Sequence, residues 1–156
     1  MGDDTRRRMP ELLAPAGSPE ALFAAVAAGA DAVYLSGKRF GARMYAPNFS
    51  REELAGVIAF CHERDMSVYV TINTLIADTE MQGALEEALY LYSRGVDGII
   101  VQDIGYLSLL HRCVPDLILH ASTQMTVHSI EGIRAVHALG ARRVVLAREM
   151  TLPEIT

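Results

Sequence analysis

Short apolar runs alternate with amphipathic segments along most of the chain. Six runs have the length and composition of strands, at residues 11–16, 32–36, 67–73, 98–102, 117–121 and 143–147. Three of them, around Ile99–Val101, Leu117–Leu119 and Val144–Leu146, are apolar at consecutive positions. Strands that are apolar on both faces are typical of a parallel sheet covered by helices. The pattern therefore predicts an α/β fold.

The segments between the runs carry helix start signals. Ser18 precedes Pro19, which favours an N-cap followed by proline in the first turn. Capping boxes are predicted at Ser50 with Glu53, at Thr79 with Gln82, and at Thr151 with Glu154. Apolar positions in the second helix recur at helical spacing, at Leu54, Val57, Ile58 and Cys61.

Five complete strand–helix units followed by the start of a sixth predict a partial TIM-like (β/α) barrel. We expect about six parallel strands in sequential order, helices on the outside, and a sheet that ends before closure, since eight units of this kind close a barrel. Residues 1–8 are predicted to be a flexible tail and residues 9–156 the N-terminal segment of a larger barrel enzyme. An open, doubly wound sheet remains an alternative, although no glycine-rich dinucleotide fingerprint follows the first strand.

Composition narrows the functional classes. The 14 basic and 19 acidic residues give a net charge of −5, which does not indicate a nucleic-acid-binding fold as a whole. Residues 1–10 lack the apolar core of a signal peptide, and no apolar stretch approaches transmembrane length. Two cysteines suggest a reducing compartment, so a cytoplasmic protein without membrane partners is expected.

Polar residues follow the predicted strands at the end where barrels carry their chemistry. From these we predict six site residues: Arg43, Asn73, Asp103, Gln124, Arg148 and Glu149. The two arginines would bind a carboxylate or phosphate, and the two amides would orient the substrate. Asp103 and Glu149 would be catalytic, as acid/base or positioning groups. Five of them have structural alternatives: Asp103 as a helix cap, Arg148 and Glu149 as an ion pair with each other or with neighbouring strands, Asn73 as a loop anchor, and Arg43 as a solvated loop residue.

A short internal echo marks the opposite end of the strands. Gly29-Ala30-Asp31, Gly95-Val96-Asp97 and Gly140-Ala141-Arg142 each end a helix and begin a strand. The end of a barrel where these turns lie serves stability, so Asp31, Asp97 and Arg142 are predicted to be structural.

No metal site is predicted. Cys61 and Cys113 fall within helices, and the five histidines do not pair at metal-ligand spacing. His120, inside the fifth strand, is the histidine of most interest.

Several motifs together resemble a known family. They are Glu11–Gly17, Gly29–Tyr34, Asn48-Phe49-Ser50, Ser122-Thr123-Gln124 and Arg143–Glu149. In this order they resemble the N-terminal part of the collagenase-like peptidases, peptidase family U32, from about Met9 onward.

The resemblance implies proteolysis by the family's name, and also hydroxylation of tRNA uridine or ribosomal RNA cytidine, or of ubiquinone, in some members. Those members carry an iron–sulfur cluster on four cysteines, in a signature that follows the segment matching Arg148-Glu149. No cofactor is therefore expected in this chain, although a cluster is possible in its parent. The expected partner of the parent is a polar or anionic small molecule, a peptide or RNA, while the 156-residue segment alone is expected to be inactive.

A non-catalytic alternative remains. The segment could be a folding or interaction module that forms homo-oligomers through exposed sheet edges.

Overall fold

The computed structural model describes residues 10–42 and 47–155. The predicted tail at residues 1–8 and the candidate Arg43 lie outside these ranges. The strands are β1 (Leu13–Pro15), β2 (Ala32–Ser36), β3 (Ser67–Ile72), β4 (Gly98–Val101), β5 (Leu119–Ala121) and β6 (Ala141–Val144). The helices are α1 (Pro19–Ala27), α2 (Arg51–His62), α3 (Met81–Ser93), α4 (Ile104–Cys113), α5 (Ile130–Ala138) and α6 (Leu152–Ile155), with a 3₁₀ turn at Thr123–Met125.

The sheet is parallel throughout and follows the order of the chain. Its six strands lie in the order β1-β2-β3-β4-β5-β6, and each pairs in parallel with the next. Within the described ranges β1 and β6 each have one strand neighbour, so the sheet is open between them. The predicted fold class, strand order and lack of closure are confirmed.

Two clusters of apolar side chains lie on opposite faces of the sheet. The larger, which we call the helix–sheet core, joins outward-facing strand residues to the buried stripes of the helices, with Leu54 and Ile58 of α2 and Leu107 and Leu110 of α4 as examples. The smaller contains Ala32, Tyr69 and Ile100, packed against Leu13 and Tyr34. We call the face that carries it the inner face. No described helix residue belongs to the inner cluster, so the helices cover one side only, as predicted.

The start signals of α1 and α2 act as predicted. Ser18 Oγ accepts a hydrogen bond from Ala21 N, and Ser50 and Glu53 form a complete capping box. The prediction for α3 is wrong, because its N-cap is Glu80, which makes no side-chain cap bond. The Glu80 carboxylate instead accepts from Ala77 N at 3.1 Å and closes the preceding turn. At the start of α6, Glu154 Oε2 accepts a hydrogen bond from Thr151 N at 2.7 Å.

The repeated glycine turns lie at the amino-terminal ends of the strands, which we call their lower ends, and help to hold these ends together. Gly29, Gly95 and Gly140 have φ angles of 73°, 82° and 111°, in the region that favours glycine. Asp31 Oδ2 accepts from Leu12 N at 2.7 Å, and Asp97 Oδ2 accepts from Val68 N at 2.7 Å. Each aspartate thus joins the start of its own strand to the preceding strand, the structural arrangement predicted for both.

The sixth strand differs most from its prediction. It runs from Ala141 to Val144 instead of covering residues 143–147, and Arg142 and Arg143 are exposed. Val145, which the sequence pattern placed in a doubly covered strand, is 38% exposed. An edge strand has a neighbour on one side only, so its apolar positions are not enclosed as those of β4 are.

No helix in the described part of the chain is long and apolar enough to cross a membrane.

Candidate functional site

A cavity of about 440 Å³ lies at the carboxyl ends of the strands. Its walls come from all six strands or from the residues that follow them, so the inner face is concave. Its lining includes Tyr34, Ser36, Thr71, Asn73, Ile100, Ser122, Thr123, Gln124 and Arg148. This is the end of the sheet at which parallel barrels place their chemistry.

Three of the predicted site residues line this cavity. Asn73 follows β3, Gln124 lies in the turn after β5, and Arg148 follows β6. Gln124 and Arg148 are exposed at the rim, while Asn73 is partly buried. Among the described lining residues, Arg148 alone carries a charge.

Asn73 also anchors the long connection between β2 and α2. Its Oδ1 accepts from Ala42 N at 3.0 Å, and its backbone N–H donates to Phe40 O at 2.9 Å. Thr74 Oγ1 donates to the same carbonyl at 3.2 Å. Phe40 has a φ of 59°, an unfavourable conformation for a bulky residue that these bonds and its burial hold in place. The loop-anchor alternative for Asn73 is therefore observed, together with its place in the cavity wall.

The hydroxyl groups after β5 organise the backbone of the rim. Ser122 Oγ accepts from Gln124 N at 3.2 Å, and Thr123 Oγ1 donates to Leu146 O at 3.2 Å. The second bond joins the rim at β5 to the rim at β6. These contacts fix the turn that carries Gln124.

Asp103 and Glu149 are not among the described residues that line the cavity, so the expectation that they share it is wrong. Asp103 is the N-cap of α4: its Oδ1 accepts from Tyr106 N at 2.8 Å and its Oδ2 accepts from Ile76 N at 3.3 Å. Backbone N–H groups of the first turn of α4 and of the β3–α3 connection therefore engage both carboxylate oxygens of Asp103. Glu149 is exposed one residue beyond Arg148. The catalytic roles of both residues remain predictions.

Residues within the strands also contribute polar groups, which the prediction from the strand ends did not include. Ser36 and Thr71 lie side by side in the β2–β3 register and both line the cavity. Tyr34 and Ile100 supply apolar surface below them. The sequence does contain a signal for these groups, since alternate strand residues share one face. The alternating residues are Tyr34/Ser36, Tyr69/Thr71/Asn73 and His120/Ser122.

His120 lies below the cavity on the same face of β5 as Ser122. It is 3% exposed, and its ring centroid is 4.6 Å from that of Tyr69. Burial, and then the nearby Arg143 guanidinium, lower the pKa of His120 to about 4. The imidazole is therefore neutral near pH 7. Burial, and then the hydrogen bond to Glu11, raises the pKa of Tyr69.

The cysteines of this chain do not fit the iron–sulfur cluster that the family resemblance suggests. Such a cluster takes four thiolate ligands, and the chain has two cysteines. Cys61 is buried in the helix–sheet core, where burial raises its thiol pKa, and Cys113 is exposed at the end of α4. The described residues contain no group of three or more His, Cys, Asp or Glu side chains placed to hold a metal ion.

The chain is similar to RNA-modifying proteins and to a solved peptidase-family structure. It is 40% identical over 145 residues to the 23S rRNA 5-hydroxycytidine C2501 synthase of Escherichia coli, an alignment that covers 93% of this chain and 22% of the synthase. It is 38% identical over 148 residues to the tRNA hydroxylation protein P1 of Bacillus subtilis, covering 95% of this chain and 35% of that protein. The chain thus spans between about a fifth and a third of these relatives.

The structure of the U32 peptidase Mk0906 superimposes with a TM-score of 0.72 at 19% identity, over 88% of this chain and 58% of that one. At this identity the match shows a shared (β/α) barrel-like fold. The sequence model of Peptidase family U32 matches residues 17–156. The chain belongs to peptidase family U32.

Proposed function

We propose that this chain forms the substrate-binding part of an enzyme that hydroxylates a pyrimidine base in RNA. The observation that carries the proposal is the cavity at the strand ends, with one charged side chain, Arg148, among its described lining residues. The similarity to an rRNA hydroxycytidine synthase and a tRNA hydroxylation protein supports the reaction class.

The chemistry of the cavity suits a neutral planar ring that carries an anionic group. Ser36 and Thr71 offer hydroxyl groups, and Asn73 and Gln124 offer amides, which can donate to and accept from the edge of a base. Tyr34 and Ile100 give apolar surface for the ring face. Pockets that combine apolar walls with a few placed polar groups are typical ligand sites.

Arg148 is the group assigned to the anion. A guanidinium at the rim can form a bidentate contact with a phosphate of RNA or with the carboxylate of a co-substrate. Arg43, outside the described residues, is proposed for the same task. Gln124 and the Nδ2 side of the Asn73 amide would orient the ligand, because Asn73 Oδ1 is already bonded to Ala42 N.

Asp103 and Glu149 keep their proposed acid/base roles with different requirements. Glu149 is exposed next to Arg148, so rotation of its side chain would bring it toward the rim. Asp103 accepts two backbone hydrogen bonds, and it would have to release them to act on a substrate. We therefore expect Glu149 to matter more for catalysis. An RNA substrate implies a cytoplasmic location.

The test is made in the organism that carries this gene. Nucleosides from its tRNA and ribosomal RNA are measured by mass spectrometry after gene disruption and after complementation with variants. We expect a hydroxylated pyrimidine to disappear on disruption, to return with the wild-type gene, and to stay at least tenfold reduced with Arg148→Ala. Arg134→Ala, which removes the same charge from exposed α5, is the matched control and should restore the nucleoside fully.

Peptidase activity and a purely structural role are the competing outcomes. An unchanged nucleoside profile after disruption would contradict the proposal. Cleavage of gelatin by the purified protein, reduced in Arg148→Ala but not in Arg134→Ala, would then assign the cavity to a peptide. The absence of both activities, together with concentration-dependent self-association, would favour the non-catalytic interaction module.

A further inference from the structure

An ion pair joins the two edge strands of the sheet across its open side. Arg143 Nη1, on β6, lies 2.7 Å from Glu11 Oε2, two residues before β1. These strands are at opposite ends of the strand order and do not pair with each other within the described ranges. The contact therefore crosses the inner face instead of following the sheet.

A third residue, from the middle of the sheet, joins this pair. Tyr69 Oη, on β3, donates to Glu11 Oε1 at 2.7 Å, so both carboxylate oxygens of Glu11 are bonded. The Arg143 guanidinium lies 5.1 Å from the centre of the Tyr69 ring. We call Glu11, Tyr69 and Arg143 the interior clasp. It connects the two edges of the sheet to its centre.

Gly98 provides the space that Tyr69 occupies. A Cβ at this position would lie 3.2 Å from Tyr69 Cδ1, 3.1 Å from Ile118 O and 3.5 Å from His120 Cε1. Tyr69 and Gly98 are partners in the β3–β4 register, so a larger residue on β4 would press directly on the ring. The sequence thus leaves room for the clasp at the point where it crosses the sheet.

The strands that the clasp joins are also the strands that carry opposite walls of the cavity. Pro15, Ala16 and Gly17 line it at the end of β1, and Val145, Leu146 and Arg148 line it after β6. No backbone ladder fixes the separation of these two walls within the described ranges. We infer that the interior clasp is a positioning network that sets the width of the cavity, by holding β1 and β6 together at their lower ends. This inference concerns the shape of the cavity and holds for any ligand it binds.

The exposure of the pair determines what kind of effect to expect. The side chains of Arg143 and Glu11 are 41% and 28% exposed, so solvent weakens their attraction and the pair adds little to global stability. A small energetic preference is sufficient to position two edges that share no backbone hydrogen bonds within the described ranges. Loss of the clasp should therefore change the distance between the edges without unfolding the protein.

Pulsed electron–electron double resonance on the 156-residue chain measures the distance between the two edges of the sheet through a pair of spin labels. Spin labels are placed at Glu20→Cys in α1 and Glu131→Cys in α5, both exposed, in a Cys113→Ser background. Buried Cys61 is left in place. We expect one narrow distance distribution in the wild-type background. Glu11→Gln and Arg143→Gln should each broaden it and move its mean by several ångströms, on the scale of one side-chain contact.

Two controls separate positioning from a general loss of charge. Arg64→Gln breaks an exposed pair with Glu63 on the outer surface and should leave the distribution unchanged. The exchange Glu11→Arg with Arg143→Glu should return it toward the wild-type width. Raising the salt from roughly 0.1 M to 1 M should broaden the wild-type distribution, because salt screens exposed pairs.

Unchanged distances in both single variants would overturn the inference, and so would an exchanged pair that restores nothing. Unfolding of both single variants, seen by circular dichroism, would also overturn it, because the clasp would then be required for the fold. If only one of them folds, Tyr69→Phe is the second variant. It removes the phenol hydrogen bond to Glu11, and it should broaden the distribution while circular dichroism stays unchanged.

Discussion

The two faces of the sheet are built from the same strands but have opposite characters. The helix–sheet core is aliphatic and closed, with residues such as Leu54, Ile99 and Leu107 at 1% exposure or less. The inner face alternates polar with apolar groups and opens into a cavity of about 440 Å³. Hydrophobic burial on one face can therefore stabilise the protein while the other face remains available for binding. Stability and function are separated by the two-residue period of a strand.

The largest expected effect comes from removing volume from the closed face. Leu54→Ala leaves a cavity at a position 1% exposed, and we expect it to lower the free energy of unfolding by about 2–5 kcal/mol. Thr71→Ala on the inner face should cost about 1 kcal/mol or less, because it removes one hydroxyl and one methyl group beside an existing cavity. Urea denaturation of both variants measures the difference. Equal losses would mean that the inner face is as important for stability as the core.

The second expected effect is a pH dependence of the free energy of unfolding, and it tests the most buried part of the inner face. His120 has a folded pKa of about 4, below its ordinary value of 6.5, so the unfolded chain binds a proton at a higher pH than the folded one. Stability from this group is complete above pH 6.5 and is lost as the pH falls toward 4, by about 3 kcal/mol in all.

Denaturation of the wild type and of His120→Leu at several pH values isolates this contribution from that of the carboxylates. The loss of stability between pH 6.5 and 4 should be smaller in the variant. His128→Leu, which removes an exposed imidazole, is the matched control for the substitution itself. Parallel slopes in the wild type and His120→Leu would show that His120 is solvated in the folded state.

Two glycine substitutions should change the stability of the protein by smaller amounts and in opposite directions. Gly98→Ala places a Cβ within 3.2 Å of Tyr69 and Ile118 atoms, so it should destabilise the protein by about 1–3 kcal/mol. Gly56→Ala, in α2, meets nothing within 4 Å and should stabilise it by up to about 1 kcal/mol through helix propensity. Thermal unfolding of both variants provides the measurement. A neutral Gly98→Ala would mean that Tyr69 is free to move.

The smallest effect concerns the sheet edges, where the closed face and the inner face meet. Within the described ranges, the edge strands β1 and β6 each pair with a strand on one side only, and Leu12 and Val145 beside them are 55% and 38% exposed. We expect weak, concentration-dependent self-association in sedimentation experiments. A single monomeric species at high concentration would count against this prediction.

The sequence predicted the closed face better than the inner one, because the signals for the closed face are local. Apolar runs and glycine turns identify β2, β3 and β4 closely, and the capping box at Ser50 marks the start of α2. The prediction placed the edge strand β6 too late in the chain, because Val144–Leu146 resembles an enclosed strand. Its composition does not show that β6 pairs on one side only within the described ranges. Local pattern does not report what lies beside a strand.

Side-chain direction was the other part that the sequence could not supply. Asn73, Gln124 and Arg148 share the cavity as the strand-end rule predicts, but Asp103 turns back to cap α4. Both arrangements are consistent with a polar residue after a strand. The Glu11–Arg143 contact was also beyond reach, because it joins distant parts of the chain through the curvature of the sheet.

The central claim is that the inner face, and not the outer surface, binds the ligand. Nuclear magnetic resonance titration with uridine 5′-monophosphate and cytidine 5′-monophosphate tests it directly. The account predicts shifts at the backbone amides of Ser36, Asn73, Gln124 and Arg148, and about tenfold weaker binding in Arg148→Ala, equivalent to about 1.4 kcal/mol. Shifts confined to the outer groove between α1 and α2, at Phe23 and Phe60, or no shifts with either nucleotide, would contradict it.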